Sequence, residues 1–195
     1  MPTKKILQAA LLILTVLFFV SCQKQPTASF SLDKSVYNAG ETVVITNSST
    51  DAHHYEWNLP GNSTSTEENP VYVIPETAAG ILTFKLTAFS RNNELSSESL
   101  KSINVIPKTG NAVFWQSEGY DNITVTINSV TENILDKITT APDCGHSDCA
   151  NFAGLVVGTH NYTANDGVYF WQGQIEIVEN QCTVVKLNYS DATQQ

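Results

Sequence analysis

The hydrophobic positions of this chain fall into short alternating runs separated by Gly, Pro, Asn and Asp, and each run has the length of a strand. "ILTFKLTAF" is the clearest: Leu82, Phe84, Leu86 and Ala88 share one face, and Thr83, Lys85 and Thr87 the other. Before it, "ASFSLDKSVYNAGETVVITNSST" predicts two strands around the turn "NAGE", and "HHYEWNLPGN" predicts a strand running into a Pro-Gly turn. After it, "KSINVI" places Ile103 and Val105 on one face. A second block opens with "AVFWQS" and continues with "NITVTINSV", where Ile123, Val125 and Ile127 point inward. "ANFAGLVVGTHNYTA" predicts two strands around Val157-Gly158-Thr159, and "GVYFWQGQIEIVENQCTVVKLNY" two more with Glu179-Asn180 near the turn. No segment holds a helical period over three turns; "NILDKITT" comes nearest, and it is too short and too β-branched.

The expected class is all-β, with two β-sandwich domains. Residues 28–107 hold six or seven short strands, the pattern of an immunoglobulin-like sandwich. Residues 108–111 read as a hinge, and residues 112–190 as a second sandwich. In the first block the order Gly40-Glu41-Thr42, Asn47-Ser48-Ser49, Tyr55-Glu56-Trp57-Asn58-Leu59-Pro60-Gly61, Asn69-Pro70 and "GILTFKLTAFS" resembles a PKD domain. Such domains carry a W-D-F-G-D-G type turn, from which Asn58, Leu59 and Pro60-Gly61-Asn62 depart; the W-x-F-P-G-G variant of Bacteroidetes proteins is nearer. The resemblance implies a buried Trp57 on a central strand, and an extracellular spacer or interaction module. The second block resembles prealbumin-like or carboxypeptidase-regulatory-like β-domains, through Phe114-Trp115 near its start, Gly158-Thr159 to Tyr162 and Ala164, Trp171-x-Gly173 and a late Cys182.

Ahead of both blocks, Lys4 and Lys5 precede an apolar run from Ile6 to Val20, too short for a confident membrane span. It ends in "FVSC", which resembles a bacterial lipoprotein lipobox. Residues 1–21 would then be a signal peptide, Cys22 the lipidated residue and residues 22–27 a tether. Two or more acyl chains hold a protein firmly where one gives marginal binding. Losing Lys4 and Lys5 would take the net charge from −9 to −11. No aspartate or acidic cluster follows Cys22, so the expected address is the outer membrane, periplasmic or surface-exposed.

Composition agrees with β-structure: 42% of residues are hydrophobic and only 15% charged. The acidic balance argues against nucleic acid, which needs Lys and Arg to displace counterions, and against electrostatic docking on anionic lipid.

"DCGHSDC", residues 143–149, is the densest cluster of reactive side chains. Cys144, His146, Cys149 and Cys182 could count as four zinc ligands, but the gap between Cys144 and Cys149 is wider than zinc sites favour, and an exported chain pairs its cysteines. With Cys22 lipidated, one disulfide and one free thiol remain. Cys144–Cys149 closes a loop worth about 2 kcal/mol, whereas Cys144–Cys182 or Cys149–Cys182 is worth about 4 kcal/mol and ties the last strand to an earlier one, so the long links are favoured. A cysteine nucleophile would need His146 or His160 as base. His53 and His54 are adjacent at an expected exposed strand end, where they point to opposite faces and cannot chelate one metal together. Asp51, Glu67 and Glu68 lack EF-hand spacing.

Trp171 shares parity with Gly173, Ile175 and Ile177 and reads as core, which leaves Tyr169 or Phe170 near the surface. Phe114 and Trp115 are neighbours, so one of them should face out; an exposed Trp115 could stack on a sugar ring or a partner. No catalytic set, metal site or cofactor emerges. The expected function is a non-catalytic binding or adhesion module for glycan or an envelope protein; the alternative is a structural spacer or assembly subunit with no ligand of its own.

Overall fold

The computed structural model describes residues 23–119 and 122–194. The predicted signal peptide and Cys22 lie outside the described residues. Among these, the alternating runs become sixteen strands in four sheets, with two single-turn 3-10 segments at Pro60–Asn62 and Tyr189–Asp191. The chain is all-β. It divides into two compact units, one running through Asp33 and then Val44–Tyr72 and Thr83–Ser102, the other made of Lys34–Val43, Val73–Leu82 and Ile103–Gln195.

Eight strands form the first pair of sheets: β1 (Phe30–Leu32), β2 (Val36–Asn38), β3 (Thr42–Asn47), β4 (His54–Leu59), β5 (Ser63–Ser65), β6 (Val71–Val73), β7 (Gly80–Phe89) and β8 (Ser96–Ile106). The sheets are β1-β3-β6 and β2-β8-β7-β4-β5. In immunoglobulin lettering these orders are A-B-E and A′-G-F-C-C′, so the first sandwich is immunoglobulin-like by topology. Trp57 is the anchor: it is fully buried on β4, its indole N–H donates to the Glu67 carbonyl at 2.8 Å, and Phe30 of the other sheet meets it edge-on at 5.1 Å. Tyr72 and Phe84 make a second edge-on pair at 5.3 Å. Phe84, Leu86 and Ala88 are buried as their parity requires, and so are Ile103 and Val105.

The second pair of sheets holds β9 (Thr109–Trp115), β10 (Ile123–Ile127), β11 (Val130–Ile134), β12 (Ala150–Val156), β13 (Gly158–Asn165), β14 (Tyr169–Ile177), β15 (Cys182–Lys186) and β16 (Thr193–Gln194). The orders are β12-β9-β15 and β11-β10-β13-β14-β16. Phe114 of the small sheet meets Tyr162 of the large one at 4.8 Å, and Ile123, Val125, Ile127, Ala164, Trp171 and Ile177 fill the space between. Gly173 lies directly opposite Tyr162, and a Cβ there would come within 2.8 Å of the tyrosine ring. The glycine of the Trp171-x-Gly173 motif therefore serves packing, because the ring covers the backbone it leaves bare.

Three tight turns that pattern alone places between neighbouring strands join strands of different sheets. Around "NAGE", β2 pairs in parallel with β8, while β3 pairs with β1. Around Val157, β12 pairs with β9, and β13 with β10 and β14. Around Glu179-Asn180, β14 pairs with β13, while β15 pairs in parallel with β9. The two-residue turn Asn128-Ser129 does make a hairpin: both residues have positive φ, the geometry that lets β10 and β11 pair directly.

Candidate functional site

The "DCGHSDC" loop is a stitched turn. Cys144 is bonded to Cys182, with the Cα atoms 5.9 Å apart. That settles the pairing on one of the two long links and removes two of the four sulfur and nitrogen donors a zinc would need. Asn151 gathers the loop: its carbonyl oxygen accepts from the Gly145 N–H, and its amide donates to the carbonyls of His146 and Cys149 at 2.8 and 2.9 Å. Among the described residues no three His, Cys, Asp or Glu side chains converge on a metal position. Cys149 is free and buried, and its thiol pKa is pushed up by burial and by the charge of Asp148, which favours the protonated thiol over the nucleophilic thiolate. His160 is held at both nitrogens, Nε2 to the Val156 carbonyl at 2.6 Å and Nδ1 to the Asn128 amide at 2.9 Å. It braces the start of β13.

The expectation that Phe114 or Trp115 faces outward is corrected. Phe114 is fully buried between the sheets, and Trp115 is only 8% exposed. Trp115 does point to the other face of β9, but that face is roofed: Val113, Trp115 and Cys149 form a second cluster, with Ile138 and Cys144 packed against it, and Lys186 lies over the indole at 5.3 Å. Tyr169 also points inward, meeting Tyr189 at 5.1 Å and Trp171 at 6.4 Å. The Trp171 indole N–H donates to the Asn188 carbonyl, and the Tyr189 hydroxyl donates to Asp166 at 3.0 Å. Of the three candidate contact aromatics, Phe170 alone stands on the outer face of its sheet.

That outer face, on the five-stranded sheet, is the surface sequence reasoning passed over. Cross-strand register lines up Asn133, Thr124, Asn165, Phe170 and Thr193 in one row, and Thr131, Thr126, Thr163 and Gln172 in the next. Asn161 with Gln174 and Thr159 with Glu176 continue it. Glu176 is the one charged residue in these rows. Several members pair with each other: Thr124 donates to Asn133, Gln174 to Asn161 and Thr159 to Glu176, at 2.8–3.0 Å. At the centre lies an open hollow of about 270 Å³ lined by Asn161, Thr163, Gln172 and Gln174 together with Tyr162 and Gly173. Thr163 and Gln172 are exposed there with no side-chain hydrogen bond among the described residues. The signal was available in the strand positions between the apolar ones, "T-T" in β10, "T-N-T-N" in β13 and "F-Q-Q-E" in β14.

A second hollow, of about 380 Å³, is lined by His53, His54, Tyr55, Glu56, Thr66, Phe89 and Asn93. Both histidines border it because β4 begins only at His54, so strand alternation does not separate them. Asp51 is paired with Lys24 at 3.3 Å, while Glu67 spends its carbonyl on Trp57.

No protein-family model matches the chain, and no curated protein matches it. Among solved structures it is similar to the PKD1 domain of the Vibrio cholerae metalloprotease PrtV, at 28% identity over 42% of this chain and 98% of that one, with a TM-score of 0.35. It is also similar to the PKD1 domain of Vibrio anguillarum Epp, at 24% identity over 43% and 95%, with a TM-score of 0.36. A carbohydrate-binding module of the β-sandwich superfamily is 15% identical over 77% of this chain and 58% of that one, with a TM-score of 0.39. The fold assignment rests on the strand orders described above.

Proposed function

We propose that this chain is a non-catalytic binding module of the bacterial envelope, lipid-anchored through Cys22 to the outer membrane, and that it meets its ligand on the outer face of the five-stranded sheet β11-β10-β13-β14-β16. One observation carries the binding reading: an exposed, nearly uncharged hydrogen-bonding surface whose central hollow presents Thr163 and Gln172 with unused donors and acceptors. The anchoring rests on the lipobox-like "FVSC" and on the Bacteroidetes-type PKD resemblance of residues 28–107. The prealbumin-like reading of residues 112–190 rests on the sequence markers Phe114-Trp115, Trp171-x-Gly173 and the late Cys182. The first sandwich, its core closed around Trp57, suits a spacer role.

The test uses the chain from Gln23 to Gln195, which contains every described strand, on glycan and envelope-protein arrays. Binding should disappear in a Thr163→Glu, Gln172→Glu double variant whose thermal unfolding is unchanged. An unaltered binding profile in that variant removes the face from the function, and a chain that binds nothing on either array is a spacer. Intact-mass measurement of the native protein should find Cys22 acylated; an unmodified sulfur ends the anchoring proposal.

A further inference from the structure

Resting on the binding face just proposed, the geometry points to a neutral, extended polysaccharide as its ligand, we infer, lying along β14 from Phe170 to Glu176 with one sugar seated in the central hollow. Each alternative class lacks its usual recognition chemistry here. Nucleic acids and acidic glycans need Lys or Arg, and the four rows hold neither; the only charge, Glu176, repels them. A protein interface is built around buried aromatic, aliphatic or Arg anchors, and Phe170 is the only apolar side chain in the rows. What the face does offer is hydroxyls and amides, groups that both donate and accept, which is the requirement set by sugar hydroxyls.

The dimensions favour a polymer over a single sugar. Phe170 and Glu176 lie on the same strand face six positions apart, a track of about 20 Å at ~3.3 Å per residue. At its middle, Gln172 and Thr163 are direct cross-strand neighbours in the hollow, next to the Gln174–Asn161 pair. Phe170 at one end supplies a ring on which a sugar face can stack, and the hydrogen-bonding centre fixes register. The hollow lies over one strand pair, β13 and β14, whose outward residues Thr163, Gln172, Asn161 and Gln174 are all polar, and suits a chain that runs along the strands.

The experiment is native affinity electrophoresis of the Gln23–Gln195 chain through gels containing an unsubstituted β-glucan, a mannan or the acidic polymer polygalacturonate. At least one neutral polymer should retard the protein, polygalacturonate should not, and Gln172→Glu should weaken the retardation by about tenfold or more, the loss expected when a hydrogen-bonding group covered by the bound polymer is mismatched. Gln172→Ala provides a second variant that adds no charge and should also weaken it, with circular dichroism showing both folded. Retardation by polygalacturonate that both variants abolish keeps the face as the binding site and overturns the neutral class. Retardation by a neutral polymer that neither variant changes overturns the face itself. No retardation by either neutral polymer overturns the polysaccharide inference and leaves the face to the array test above.

Discussion

Trp115 follows Phe114 in β9, and consecutive strand residues point to opposite faces, yet both are buried. The strand is covered twice, by the large sheet on one side and by the stitched loop with Ile138, Cys144 and Cys149 on the other. Parity was legible in the sequence; the roof was not, because it comes from a loop with no periodic pattern. Trp115→Ala should therefore cost about 3–5 kcal/mol in urea unfolding, as for other buried aromatic truncations, and any loss of ligand binding should follow unfolding. A folded, equally stable variant that had lost binding alone would return Trp115 to the ligand site. Asp166 supports a second residue-scale prediction. Partial burial raises its pKa, but backbone N–H groups of Tyr169 and Val168 and the Tyr189 hydroxyl outweigh that and hold it below the usual carboxylate range. A depressed folded pKa contributes stability that is present above the unfolded value of about 4 and lost as pH falls through the folded value. Unfolding free energy should fall on acidification below about pH 4, and the acid limb should be shallower in Asp166→Asn. An identical limb in that variant would assign the acid sensitivity to other carboxylates.

At the scale of elements, period-two alternation located most strands, and the inward faces of β7, β8, β10 and β14 are those the pattern specifies. Partner choice was hidden because a short turn looks alike whether the chain folds back beside itself or crosses to the facing sheet. At "NAGE" and at Val157 the next strand pairs elsewhere, a decision made by packing of both sheets rather than by the turn residues. β15 depends on this most. It pairs in parallel with β9 at the edge of a three-stranded sheet, and its first residue, Cys182, is bonded to Cys144 across 38 positions. Closing a loop of that length restrains the unfolded chain by about 4 kcal/mol. Cys182→Ser and Cys144→Ser should each lower unfolding free energy by about that amount, and reductant should affect the wild type but neither variant. Cys149→Ala should leave the reductant response in place, since Cys149 stands outside the bond. A Cys149 variant that no longer responds to reductant would mean that the pairing in solution differs.

For the whole molecule, the relevant contrast is between an acidic chain, with a formal net charge of −9, and a proposed binding face that carries almost none of that charge. On the proposed reading, long-range repulsion would turn away anionic polymers, while short-range hydrogen bonds at Thr163 and Gln172 would hold uncharged ones. The two effects respond differently to salt. Screening lengths shrink from well over 10 Å at low salt to a few ångströms at high salt, and this should scarcely change a contact made of neutral hydrogen bonds and ring stacking. Retardation by a neutral polysaccharide should therefore vary by less than about twofold between about 50 and 500 mM salt. Any weak affinity for an anionic polymer should instead grow over the same range, as the repulsion from the acidic chain is screened. A steep loss of binding with salt would require cationic side chains at the contact, and would move the site away from the Thr, Asn and Gln rows to one of the few surfaces where lysines such as Lys34, Lys85 or Lys101 are exposed or half-exposed.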